Sequence, residues 1–184
     1  MSDLLAQEKT FYERFWALLN NRDLMKVFEK YGPTAFRRSS VLEGFEAFID
    51  AQKFSGHTAV EIGTCKGLTA CLLARRFERV VTIDIVPDPQ REEIAAMLDI
   101  HNIAFVTVRG NAEKAEVIEA IKFDAAYVDG NHHDDQRDDF LLVKRCGRVL
   151  THEWWDAQPI VRQTFEEAGG TIEAQGKFAL WNAK

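Results

Sequence analysis

Cysteine is scarce in this chain. Cys65, Cys71 and Cys146 are odd in number and have no paired spacing. Neither a disulfide framework nor a zinc site is indicated, and such usage suits a reducing, cytoplasmic setting. Positive charge is also short, with 23 Lys and Arg against 29 Asp and Glu and a formal net charge of −6. Phosphate-backbone binders normally carry a basic stripe, so nucleic acid is not expected as a partner. Long apolar runs are missing too. The opening MSDLLAQEKTFYERF is charged throughout, so neither a secretory signal nor a membrane span is expected there. Repeats, low-complexity tracts and long linkers are equally absent. What remains is 184 residues, 46% of them hydrophobic, enough for one domain with a substantial core and tight for two.

Apolar positions at helical spacing run through residues 3 to 30, from Leu4, Phe11, Phe15, Leu18 and Leu19 to Leu24, Val27 and Phe28. YGPT at 31–34 breaks that pattern, because Pro33 disfavours a helical Gly32. A short helix over Val41 to Gln52 follows. From His57 onward strand and helix alternate. TAVEIG, RVVTID, AFVTVR, FDAAYVD, RVLTHE, TIEAQ and KFALWN read as strands, with five helical segments between the first six. The first strands are nearly continuous apolar runs, as parallel strands covered on both faces require. The pattern predicts an α/β fold with a doubly wound, seven-stranded, mostly parallel sheet, preceded by N-terminal helices. TIEAQGKFALWN leaves no room for a crossover helix, so its last strand is expected to be antiparallel. Residues 1–54 read as a helical extension packed on a core of residues 55–184.

Three places carry chemistry. After the first strand, Gly63-Thr64-Cys65-Lys66-Gly67 forms a turn that lets backbone approach a ligand closely, or is an ordinary strand-to-helix turn. The dinucleotide fingerprint needs a second glycine where Cys65 stands. Asp84 ends the second strand about twenty residues later, where an acid bonds ribose hydroxyls in nucleoside-binding folds; the bland alternative is a solvated strand-end acid. Asn111, in RGNA after the third strand, lies at the same edge and reads either as an adenine contact or as a helix cap.

E-I-G-T-x-x-G, V-T-I-D, G-N-A and the antiparallel ending resemble class I S-adenosylmethionine-dependent methyltransferases over roughly residues 55 to 183. FDAAYVDGNHHDDQRDDF resembles the D-G-x-H-x-x-x-x-x-x-D-F segment of their small-molecule O-methyltransferase branch, the macrocin-type enzymes. The resemblance implies a Rossmann-like methyltransferase fold with S-adenosylmethionine bordered by Glu61, Gly63, Thr64, Gly67, Asp84, Ile85, Asn111, Ala112 and Asp129. It gives His132 the part of general base toward an acceptor hydroxyl, with Asp129 orienting it or holding a cation. Related O-methyltransferases bind magnesium at an acid after the fourth strand and a residue pair after the fifth. Here those positions are Asp129, His152 and Glu153. The imidazole suits magnesium poorly, so the metal stays an open expectation.

Asp134 and Asp135 are expected to start the next helix, with Asp138 and Asp139 facing them and Arg137, Lys144 or a cation relieving the repulsion. Trp154 and Trp155 read as pocket walls or core. Arg37 and Arg38 read as contacts to an anionic substrate or as solvated. The aromatic helix bearing Phe11, Tyr12, Phe15 and Trp16 covers the sheet, lids a pocket or supports a homodimer. The expected function is methyl transfer to a small molecule, most readily at oxygen. Its rivals are a nicotinamide-dependent oxidoreductase and a catalytically silent nucleoside-binding module.

Overall fold

The computed structural model describes residues 22–36, 44–130, 135–152 and 159–184. Helix α1 (Arg22–Tyr31) runs into a 3₁₀ turn (Gly32–Phe36), and α2 (Phe45–Ala51) follows. Then come β1 (Gly56–Ile62), α3 (Leu68–Ala74), β2 (Phe77–Asp84), α4 (Gln90–Met97), β3 (Ile103–Thr107) and α5 (Asn111–Glu119). The chain closes with β4 (Ala125–Val128), α6 (Asp135–Val143), β5 (Arg148–Thr151), α7 (Pro159–Ala168), β6 (Thr171–Gln175) and β7 (Phe178–Asn182).

The strands form one seven-stranded sheet in the order β3-β2-β1-β4-β5-β7-β6. Neighbours among β1 to β5 pair in parallel, while β7 runs antiparallel to both β5 and β6. Gln175 pairs with Phe178 across Gly176-Lys177, a tight hairpin with no space for a helix. The doubly wound sheet and its antiparallel ending are therefore as expected. The strand order reverses between β1 and β4, which opens a crevice beyond the carboxyl ends of those strands.

Alternate residues of each strand supply two cores. On one face Ala59, Val80, Tyr127, Leu150, Phe178 and Leu180 meet α1 through Leu24 and Val27, α2 through Phe45, Phe48 and Ile49, and the wholly buried α3. On the other, Val60, Ile62, Val81, Ile83, Val128 and Trp181 meet Ile118 of α5, Phe140 and Val143 of α6, and Val161 and Phe165 of α7. This is why α3 is buried all round, whereas α7 buries Val161, Thr164 and Phe165 along one stripe.

Element ends differ from expectation where tertiary contacts override local pattern. The helical reading of residues 68–77 stops at Ala74, because Phe77 opens β2, pairs with Gly56 and packs edge-on against Phe54 at 5.5 Å. The helix expected from Val41 begins at Phe45, after Gly44 takes a left-handed φ of 93°. Of the acids expected to repel one another at the start of α6, Asp134 lies outside the described residues, Asp138 is exposed, and Asp139 is buried against the ammonium group of Lys114 on α5. No helix among the described residues is long and apolar enough to cross a membrane.

Candidate functional site

The site grows from the turn after β1. Gly63 has φ of +96°, and a Cβ there would lie 2.3 Å from the carbonyl oxygen of Asp129 and 2.8 Å from Cα of Gly130. The β1 and β4 loops touch through bare backbone, a contact that only glycine permits. Cys65, at the position where a dinucleotide fingerprint would have glycine, still adopts a left-handed φ of 46°. That conformation costs an ordinary L-residue about 1–2 kcal/mol, so something must hold it.

Asp84 and Arg91 do so. Asp84 Oδ2 accepts the amides of Thr64 and Cys65, each at 3.0 Å, and the Arg91 Nη2 donor at 2.8 Å. Arg91 Nε donates to the Cys65 carbonyl at 2.7 Å. Asp84 Oδ1 accepts the Val86 amide at 3.0 Å. A second tie joins the same two segments: Lys66 Nζ reaches Asp88 at 2.7 Å and Gln90 at 2.9 Å. Burial alone would raise the Asp88 carboxyl, but Lys66 and the Gln90 amide bring it below its ordinary value. The turn after β1 and the β2–α4 segment thus form one braced unit.

Beneath this unit lies Glu61, with no solvent exposure. Its Oε2 accepts the Thr82 hydroxyl, which in turn accepts that of Thr64 at 2.6 Å. Glu61 Oε1 has no hydrogen-bond partner among the described residues. Burial, opposed by the Thr82 bond and reinforced by the charge of Asp129, pushes its carboxyl up to about 8. A buried oxygen left without a partner at the strand switch point is a polar contact point in waiting. Immediately after Asp84, the side chains of Ile85 and Val86 are 62% and 58% exposed, an apolar shelf at the rim. Gly67, with φ of +77°, faces Phe105 at the same corner.

Asn111 and Ala112 are exposed at the first turn of α5, which begins at the same sheet edge. The helix-cap alternative for Asn111 does not hold: Gly110 occupies the cap position, and Glu113 folds back onto the Arg109 amide at 2.7 Å.

On the other side of the switch point, Asp129 follows β4. Its Oδ2 accepts the Tyr127 hydroxyl at 2.7 Å, and its Oδ1 lies 3.2 Å from His152 Nδ1. The His152 ring is buried and lies tilted over Phe178 at 5.1 Å. Of the three residues in the magnesium expectation, Asp129 and His152 are described and Glu153 is not. Both oxygens of Asp129 are engaged by protein groups, and the imidazole binds the carboxylate instead of standing beside it as a co-ligand. No group of three or more metal-ligating side chains occurs among the described residues. Asp129 keeps one acceptor site on each oxygen, while the His152 imidazole suits a hard cation poorly. Glu153, His132, Trp154 and Trp155 lie outside the described residues, as do Arg37, Arg38 and the aromatic residues Phe11 to Trp16.

Of the expected residues, Glu61, Gly63, Thr64, Gly67, Asp84, Ile85, Asn111, Ala112 and Asp129 do gather along the carboxyl edge of β1 to β4. The pattern gave no sign of Arg91, Thr82 or Tyr127. Arg91 sits within PQREEIAAM, where a lone arginine reads as a solvated helix face. All three cysteines are free, and burial pushes the Cys71 thiol up to about 12, well away from a reactive thiolate.

A family model described as a methyltransferase domain matches residues 60–167, more than half of the chain. A sequence search of curated proteins finds no match. Solved structures with this fold include a candidate O-methyltransferase from Klebsiella pneumoniae (15% identity, TM-score 0.64, 97% of this chain and 100% of that one). A precorrin 8W decarboxylase from Methanobacterium thermoautotrophicum is similar over 76% of this chain and 89% of its own (16% identity, TM-score 0.60). A variant of MtNAS in complex with S-adenosylmethionine matches at 18% identity and TM-score 0.58, over 96% of this chain and 73% of that one.

Proposed function

The chain belongs to the methyltransferase-domain family, and from that premise we propose that it transfers a methyl group from S-adenosylmethionine to a small molecule, at an oxygen atom. The observation that carries this reading is the braced unit of the turn after β1 and Asp84, at the strand switch point. The MtNAS structure was solved with S-adenosylmethionine bound to the same fold. The residues fit such a ligand. Asp84 offers a carboxylate to ribose hydroxyls, and Ile85 offers an apolar face to a nucleobase. The amino-acid tail would lie over the turn at Gly63, and Glu61 Oε1 has hydrogen-bonding capacity left for a polar group there.

The bound sulfonium supplies an electrophilic methyl group. The protein then has to exclude water, align the acceptor and take its proton. We assign the proton to a histidine. The resemblance points to His132, which lies outside the described residues. A second reading has one observation behind it: Asp129, braced by Tyr127, accepts from Nδ1 of His152, a bond that would leave Nε2 as the basic nitrogen. A nicotinamide-dependent oxidoreductase is disfavoured by Cys65 in the turn and by the antiparallel β7.

Calorimetric titration with S-adenosylmethionine and with NAD tests the function. Binding of S-adenosylmethionine supports it, and binding of NAD alone overturns it. Turnover over a panel of phenols, sugars and amines then separates an enzyme from a silent binding module.

A further inference from the structure

Arg91, which braces the Cys65 turn, is 3% exposed, and its guanidinium spans two parts of the site. Resting on the reading of the crevice as an S-adenosylmethionine pocket, we propose that Arg91 is a positioning residue that fixes which oxygen of Asp84 meets the cofactor's sugar, so that the site reads a single ribose hydroxyl.

An ionised carboxylate has about two lone-pair sites on each oxygen. Asp84 Oδ2 already takes three donors: the Thr64 and Cys65 amides and Arg91 Nη2. It has no capacity left. Oδ1 accepts the Val86 amide alone, which leaves room for one more donor. A free strand-end acid would turn and grip both hydroxyls of a ribose. Here rotation would break the Arg91 bond and release the Cys65 turn. Arg91 can impose this because its fork is planar: Nη2 serves Asp84 while Nε beside it holds the Cys65 carbonyl. Lysine has a single ammonium and cannot reproduce both contacts in one plane.

The experiment measures binding of S-adenosylhomocysteine and of its 2′-deoxy and 3′-deoxy analogues to the full chain by calorimetry. In the unaltered protein, one deoxy analogue should bind at least tenfold more weakly than the parent and the other within threefold of it. In Arg91→Lys the tenfold gap should shrink to threefold or less, because the carboxylate can then turn. Arg91→Met should behave the same way, and the lysine variant carries the test if the methionine variant does not fold. The proposal is overturned if the unaltered protein is equally sensitive, or equally indifferent, to loss of either hydroxyl. It is also overturned if Arg91→Lys weakens all three ligands by one common factor, since that marks simple support of the fold. Binding of none of the three by the unaltered protein would instead remove the cofactor reading, and the proposal with it.

Discussion

Replacing Glu61 by glutamine should flatten the pH dependence of stability. Glu61 is fully buried and its carboxyl is raised from 4.5 to about 8. A raised acid binds its proton more tightly in the folded state than in the unfolded one. Between pH 4.5 and 8 the unfolded chain therefore gains stability by ionising, while the folded chain cannot follow. Each pH unit climbed in that window should cost on the order of 1 kcal/mol, or roughly 2–3 kcal/mol between pH 5 and 7.5. Below 4.5 both states are protonated and the penalty vanishes. Glutamine mimics the protonated form and cannot ionise, so Glu61→Gln should lose the slope and exceed the parent in stability at pH 7.5.

Other titrating groups do not mimic this effect. Asp88, Glu93, Glu113 and Asp124 all have lowered carboxyls, so their contribution disappears only as the pH falls through their folded values, below the window. His57, raised by Glu78, loses its contribution as pH rises, but it is exposed and common to both proteins. Urea denaturation of both proteins at half-unit pH steps, with the difference taken at each step, isolates Glu61. Parallel curves from pH 5 to 8 would refute the reasoning.

Other outcomes follow from the same geometry. Gly63→Ala combines a left-handed φ with a Cβ driven against the Asp129 carbonyl, and should destabilise the fold by about 2–5 kcal/mol in a denaturant titration. Lys114→Met leaves the Asp139 carboxylate buried without its cation, at about 3–5 kcal/mol, and adding Asp139→Leu should recover most of that loss. His132→Ala should lower turnover about a hundredfold while leaving cofactor affinity nearly intact. If turnover persists and His152→Ala abolishes it, the base is His152.

Much of this architecture could be read from local pattern. Apolar runs of four to six residues, a glycine turn and a strand-end acid each report on their own neighbourhood, so β1, β2 and the turn at Gly63 were expected. The antiparallel β7 was legible for a steric reason, because Gly176-Lys177 is too short to cross the sheet. Arg91, Thr82 and Lys114 were hidden for the opposite reason. Each acts through a partner that only the sheet order brings near: Asp84 and Cys65 for Arg91, Glu61 for Thr82, Asp139 for Lys114. His152 shows how a position can be legible while its partner is not. Its place after β5 could be read, but its bond to Asp129 comes from the sheet order.

A crystal structure of the protein with bound S-adenosylmethionine tests the central claim most directly. The account predicts a ribose hydroxyl within hydrogen-bonding distance of Asp84 Oδ1, with the amino-acid tail over the turn at Gly63. A nucleoside lodged anywhere else, or an Asp84 that still contacts nothing but protein, would contradict it.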